Sequence, residues 1–140
     1  MKDSLNTMEI QLESPDPHAV QSYTDTSITV NGVLYQNSII ISKDTIQTAW
    51  PVHSVLELCE KNITPLLDHN PEIILIGHSE VGKQIPISVV SFLANRRIGI
   101  ECMTMGAACR TFNVLLSESR AVVLGYVMYF CSNPNHLESR

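Results

Sequence analysis

With 140 residues, 44% of them hydrophobic and 16% charged, the chain has the length and composition of one packed domain, able to bury roughly 70% of the surface its unfolded form exposes. That excludes a disulfide-stapled miniprotein, and it excludes a disordered tether, which carries few apolar residues and many charges. Nine basic against fourteen acidic side chains leave a net charge of −5, which repels a phosphate backbone, so no nucleic acid is expected as a partner.

The first residues, Met1 to Asn6, lack the apolar core of a secretory signal and the Arg-rich pattern of a mitochondrial presequence. A cytoplasmic location is expected. Residues 1–7 read as a disordered tail, 8–130 as a single domain and 131–140 as a polar tail. Met8 to Leu12 alternates apolar and polar side chains, the period of a half-buried strand, before Ser14-Pro15-Asp16-Pro17 interrupts it. Ile28-Thr29-Val30 and Val33-Leu34-Tyr35 flank Asn31-Gly32, a pair that accepts the positive φ angles of a tight hairpin turn. Ser38 to Ile41 continues the β-rich half, and Thr48-Ala49-Trp50 ahead of Pro51 reads as a short edge strand.

Ser54 and Glu57 have capping-box spacing, which predicts a short helix through Cys59. Thr64-Pro65 has the form of a second helix start. After Pro71 the pattern changes. Ile73 to Ile76 is apolar on both faces, as in a strand covered on both sides. A helix is predicted over 86–96, a strand over 98–103, a helix over 106–118 and a last strand over 120–129. Together these make a β-α-β-α-β unit whose crossovers are long enough for parallel neighbours. The longest apolar run, Ala121 to Cys131, is about eleven residues, short of the roughly twenty that a membrane-spanning helix requires.

Two motifs are imitated between Gly77 and Gln84. As a nucleophile elbow, G-x-S-x-G, the segment would expose Ser79 on a strained turn, but Val81 stands at the final glycine. No Asp follows Asp68 either, and the last His is His136, so an acid and a histidine in triad order are not supplied. As a phosphate loop it has Gly77, Gly82 and Lys83, but Gln84 replaces the magnesium-binding hydroxyl and Glu80 would face an anion. What remains is a polar loop leaving the carboxyl end of a buried strand, where open α/β sheets place their ligand crevices. Cys59, Cys102, Cys109 and Cys131 form no CxxC pair and no histidines have zinc-site spacing, so reduced thiols are expected, with no metal and no cofactor.

Turning the 106–118 helix at about 100° per residue puts Met105, Ala108, Phe112, Leu115 and Leu116 on an apolar arc, with Cys109 on its flank. Gly106, Arg110, Asn113 and Ser117 form the opposite stripe, where the Arg and the Asn are placed to cap neighbouring loops or to meet a ligand. Cys109 reads mainly as a small core residue. Its alternative is a thiol near a positive helix end and beside Arg110, where its pKa would fall.

The stretch Met103-Thr104-Met105-Gly106-Ala107-Ala108-Cys109-Arg110-Thr111-Phe112-Asn113-Val114-Leu115 resembles the signature M-D-T-G-A-A-C-R-T-Y-N-x-L of the Mth-type family of domains of unknown function. That family includes a mitochondrial complex I assembly factor and the adipogenesis-associated Mth-domain protein. The resemblance runs from about Ile10 to Tyr129, through the Asn31-Gly32 hairpin, Trp50-Pro51 and the Gly77 loop. It implies a three-layer α/β/α sandwich with a mixed central sheet and an extra β-hairpin layer. Thr104 and Met105 replace the signature's Asp and Thr, and His78-Ser79 stand where relatives carry Thr-Gly. The resemblance, with every tested catalytic pattern lacking a member, leads to the expectation of a non-enzymatic binding or assembly module with protein partners, self-association being one form. The rival is a small-molecule binder or enzyme using the crevice between the Gly77 loop and the Gly106 helix, with His78 as acid-base group. Gly77, His78, Ser79, Thr104, Cys109, Arg110, Thr111 and Asn113 are the candidate pocket or docking residues.

Overall fold

A computed structural model describes residues 9–12 and 16–129. Two sheets and three helices make up the fold. The first sheet is antiparallel, in the order β1-β2-β3-β4. It consists of β1 (Ile10–Gln11), β2 (Val20–Tyr23), β3 (Ile28–Val30) and β4 (Val33–Tyr35). Asn31 and Gly32 turn the last hairpin at φ 52° and 79°, and Val30 pairs with Val33 across it. The expected hairpin layer is thus a four-stranded sheet. It gains β2, a strand that the sequence reading lacked, and a register shift between Val20 and Ser22 is its mark.

The second sheet is mixed, in the order β6-β5-β9-β7-β8. Its strands are β5 (Ile39–Ile41), β6 (Ile46–Gln47), β7 (Ile73–His78), β8 (Gly99–Thr104) and β9 (Val122–Tyr126). β7 is parallel to both β8 and β9, and β5 is antiparallel to β9, so the crossover unit read from the sequence is present. Alternate residues feed two cores. Ile39, Ile41, Leu75, Leu124 and Tyr126 face α3 (Met105–Ser117) and the first sheet. Ile40, Ile74, Ile76 and Val123 face α1 (Glu60–Leu67) and α2 (Ile87–Ala94). The central strands are apolar throughout because each of their faces is covered.

Several local expectations are corrected. The edge strand is Ile46–Gln47, and Thr48 to Trp50 lies outside it. Trp50 turns inward instead, its Nε1–H donating to the Asn62 carbonyl at 2.9 Å. Its indole ring takes the space above Gly125, where a Cβ would stand 2.9 Å from the ring. Ser54 starts only a single 3-10 turn, Val55–Glu57, accepting from Leu56 N, while Glu57 accepts from His53 N. The helix placed at Thr64-Pro65 begins five residues earlier, at Glu60, and Thr64 Oγ1 donates back to the Glu60 carbonyl. Tertiary packing of Ile63 and Leu66 here outweighs the cost of an interior proline. The last strand is shorter than expected, Val122–Tyr126, and the tails expected at 1–7 and 131–140, like Met8 and Cys131, lie outside the described residues.

Candidate functional site

The carboxyl ends of β7 and β8 are paired, His78 opposite Thr104. From these ends one chain leaves as the 79–86 loop and the other enters α3. A cavity of about 700 Å³ opens between them. Loop residues from Ser79 to Ile85, Val90 of α2, Ile100 and Cys102 of β8, and the start of α3 at Met105 and Gly106 line it. The first sheet adds Tyr23 and Asp25. An open α/β sheet leaves such a crevice where connections from neighbouring strands diverge.

His78 is 7% exposed. Its Nδ1 accepts the Glu80 amide at 3.0 Å, so the neutral ring carries its proton on Nε2. Burial lowers its pKa from the ordinary 6.5, and the nearby Glu80 carboxylate opposes that only in part. At neutral pH the ring therefore holds no lone pair free to act as a base, and no spare proton as an imidazolium acid. Glu80 is also engaged: Oε2 accepts from Ser54 Oγ at 2.9 Å and Oε1 from Val55 N at 2.7 Å. It caps the 3-10 turn, a role its neighbours in sequence do not reveal. A turn over 80–83 follows, with Gly82 at φ 79° and Lys83 N donating to the Glu80 carbonyl. Val81 at its tip is 95% exposed.

Thr104 caps α3, its Oγ1 accepting from Ala107 N at 3.3 Å. The signature's Asp is an N-cap residue type as well, so the substitution at this position keeps the capping chemistry. Other signature residues sit behind the crevice rather than in it. Gly77 gives α3 its approach to β7, since a Cβ there would lie 2.8 Å from the Ala108 Cβ. Cys109 is fully buried, and burial pushes its thiol up to about 12 despite the opposing charge of Arg110. Asn113, on the stripe opposite the apolar arc, is only 8% exposed. Its Oδ1 accepts from Val20 N at 2.8 Å and its Nδ2 donates to the Val20 carbonyl at 3.0 Å, so the amide docks on β2 as a neighbouring strand would. Arg110 is exposed, its guanidinium 5.9 Å from the centre of the Tyr23 ring, and Thr111 is half-buried.

Of the eight expected residues the fold thus brings His78, Ser79 and Thr104 to the crevice, with Arg110 beside its Tyr23 wall. Gly77, Cys109, Thr111 and Asn113 do not line it. The sequence reading did not include Tyr23, Asp25 or Cys102. Tyr23 and Asp25 arrive only through the pairing of β2 with β3, a long-range contact with no local signal, whereas Cys102 faces the crevice by simple alternation along β8. Among the described residues no group of three or more His, Cys, Asp or Glu is arranged to hold a metal ion. No helix among them is long and apolar enough to cross a membrane.

Residues 20–126 match the family described as "Protein of unknown function (DUF498/DUF598)". A Xanthomonas campestris protein of known structure is 30% identical, with a TM-score of 0.70 over 90% of this chain and 89% of that one. A Bordetella pertussis protein described as a Mth938-like domain shares the fold at 21% identity, with a TM-score of 0.72 over 90% of this chain and 95% of its own. Among curated proteins, the "13 kDa major membrane protein" of Francisella tularensis is 27% identical over 89 residues, 63% of this chain and 72% of the relative.

Proposed function

The chain belongs to the DUF498/DUF598 family of proteins of unknown function, and on that premise we propose that it is a non-enzymatic binding module that docks a protein partner at the strand-end crevice and its apolar rim. The observation that supports this most is how the polar groups at the crevice are used. His78 Nδ1 and both Glu80 oxygens are held by the fold, and Cys109, the one nucleophile in the signature, is buried and protonated. Catalysis needs an acid, base or nucleophile within reach of a substrate. Docking needs exposed apolar surface, and Val81 and Val90, 95% and 37% exposed, line the opening. The partner suited to this rim offers apolar side chains and an acidic group for Lys83. The family resemblance extends the reading to help in assembling a respiratory complex.

Capture experiments with matched variants test it. Wild type is expected to retain a stoichiometric partner that Val81→Asp with Val90→Asp loses and that Leu34→Asp, on the hairpin and outside the crevice lining, keeps. Equal capture by the rim variant, or loss only in the hairpin variant, contradicts it. Cytoplasm is the compartment this reading assigns. Cys59, Cys102 and Cys109 are free, as thiols in a reducing compartment are.

A second reading is favoured by the cavity itself. At about 700 Å³ it has the size of a small-molecule site, with a largely apolar lining and a few polar groups. On this reading the crevice binds a small ligand without transforming it.

A further inference from the structure

The two sheets have four edges, and among the described residues only one of these is long. β1 and β6 have two residues each and β4 has three, whereas β8, at the margin of the mixed sheet, has six. Short edge strands are one way a fold keeps other chains from pairing with it; bulges, prolines and edge lysines are others. β8 has none of these. Its register with β7 runs unbroken from Gly99 to Thr104, and it contains no Pro, Lys or Arg. Among the described residues, the backbone of Ile100 to Met103 makes no hydrogen bond outside that ladder. The outer side of β8 therefore offers a row of unpaired N–H and C=O groups, the template on which another strand pairs.

The two faces beside this edge differ in chemistry. Ile100 and Cys102 pack with the α2 core and, with Ile85 and Val90, line the crevice as apolar wall. Met103 packs with the α3 core, and alternation along the strand puts Glu101 on that same face. Glu101 is exposed and has no ion pair among the described residues. Asp25, also exposed, adds a second carboxylate to the crevice wall, while Arg110 is drawn over the Tyr23 ring. A strand laid along β8 thus meets apolar surface on one face and negative charge on the other. A second copy of this chain fits poorly. Two-fold antiparallel pairing centred on β8 sets Glu101 opposite or diagonal to its own equivalent, and like charges facing across a ladder are destabilising.

We propose that the open edge of β8 is a strand-addition site for an extended segment of a partner protein, in which apolar side chains turned toward Ile85, Val90 and Ile100 alternate with basic ones turned toward Glu101. This rests on the docking reading above and names its mode: main-chain bonds to β8 hold the segment, and its alternate side chains select it. The acidic group suited to Lys83 lies beyond the paired stretch, because Lys83 belongs to the loop past the strand ends.

Titration of the full 15N-labelled chain with a capped Lys-Val-Lys-Val-Lys-Val peptide tests the edge. The controls are an alternating Glu-Val peptide and a block peptide, Lys-Lys-Lys-Val-Val-Val, that keeps the charge and loses the alternation. The alternating Lys-Val peptide is expected to bind at least tenfold tighter than either control and to slow hydrogen exchange of β8 amides. Glu101→Lys, at an exposed position, is expected to abolish that preference over the Glu-Val peptide. Of two further peptides, N-methylated on every Lys or on every Val, at least one is expected to lose binding, since each lacks the amides of one strand side. Equal binding of the alternating and block peptides overturns strand addition, as do two N-methylated peptides that both bind like the parent. Concentration-dependent dimerisation that protects β8 amides without peptide assigns the edge to a second copy and overturns the proposal. No peptide bound overturns it as well, whereas the docking reading stands or falls separately, by the Val81 and Val90 capture variants.

Discussion

The loop from Gly77 to Ile85 and the helix α3 both begin at the ends of paired parallel strands, yet their residues are used in opposite ways. In the loop, most side chains after Glu80 turn outward, and Val81 is almost wholly exposed. In α3, Met105, Ala108, Cys109, Phe112, Asn113 and Leu116 are buried. The stretch that most resembles a family signature is therefore mainly a packing device, while the stretch that imitates two catalytic motifs frames the opening. The stretch thus divides into residues that hold the layers together and a few at the helix start that line the crevice.

The difference is sharpest at Asn113, and its replacement is expected to have the largest effect. Asn113→Ala strands both backbone groups of Val20, at about 1–3 kcal/mol for each buried group left without a partner. A loss of roughly 2–4 kcal/mol in urea unfolding is expected; a loss of only a few tenths would remove Asn113 from the structural set. Gly77→Ala comes next. Its new Cβ, 2.8 Å from the Ala108 Cβ, forces α3 away from β7, and overpacking of this kind costs about 1–3 kcal/mol. Pairing it with Ala108→Gly should restore much of the loss, which a ligand-contact role for Gly77 does not predict.

On the crevice side the smallest effect is a dependence on pH. Burial holds His78 below the 6.5 of the unfolded chain, so the folded state binds fewer protons in the window between the two values. Its contribution to stability is complete above 6.5 and declines as pH falls through the folded value. Unfolding at pH 8 and pH 5 should show this decline in wild type and a shallower one in His78→Gln. An equal slope in both would mean that another group carries the dependence.

Much of this architecture can be read from local patterns. Asn31-Gly32, the two-faced run Ile73 to Ile76 and the 3.6-residue period of α3 each report a local rule that the packing obeys. The misplacements occur where distant contacts decide. Trp50 looks like an edge-strand residue until Asn62 and Gly125 draw it inward. Pro65 looks like a helix start until the burial of Ile63 and Leu66 carries the helix through it. Asn113 stands on the polar stripe as a residue able to cap a neighbouring segment, but helical periodicity cannot reveal that β2, 93 residues away in the chain, is the segment it meets. The crevice was legible in position but not in composition, since Tyr23 and Asp25 come from the other sheet and Glu80 turns away to cap Val55.

The division between a packed signature helix and an open loop is tested most directly at the thiols. Native protein treated with iodoacetamide at neutral pH and analysed by mass spectrometry compares Cys109, fully buried and pushed up to about 12, with the exposed Cys59. Cys59 is expected to label at the rate of a free thiol and Cys109 only when the chain unfolds. Labelling of Cys109 in the folded protein as fast as Cys59 would contradict the account and restore it as a reactive group.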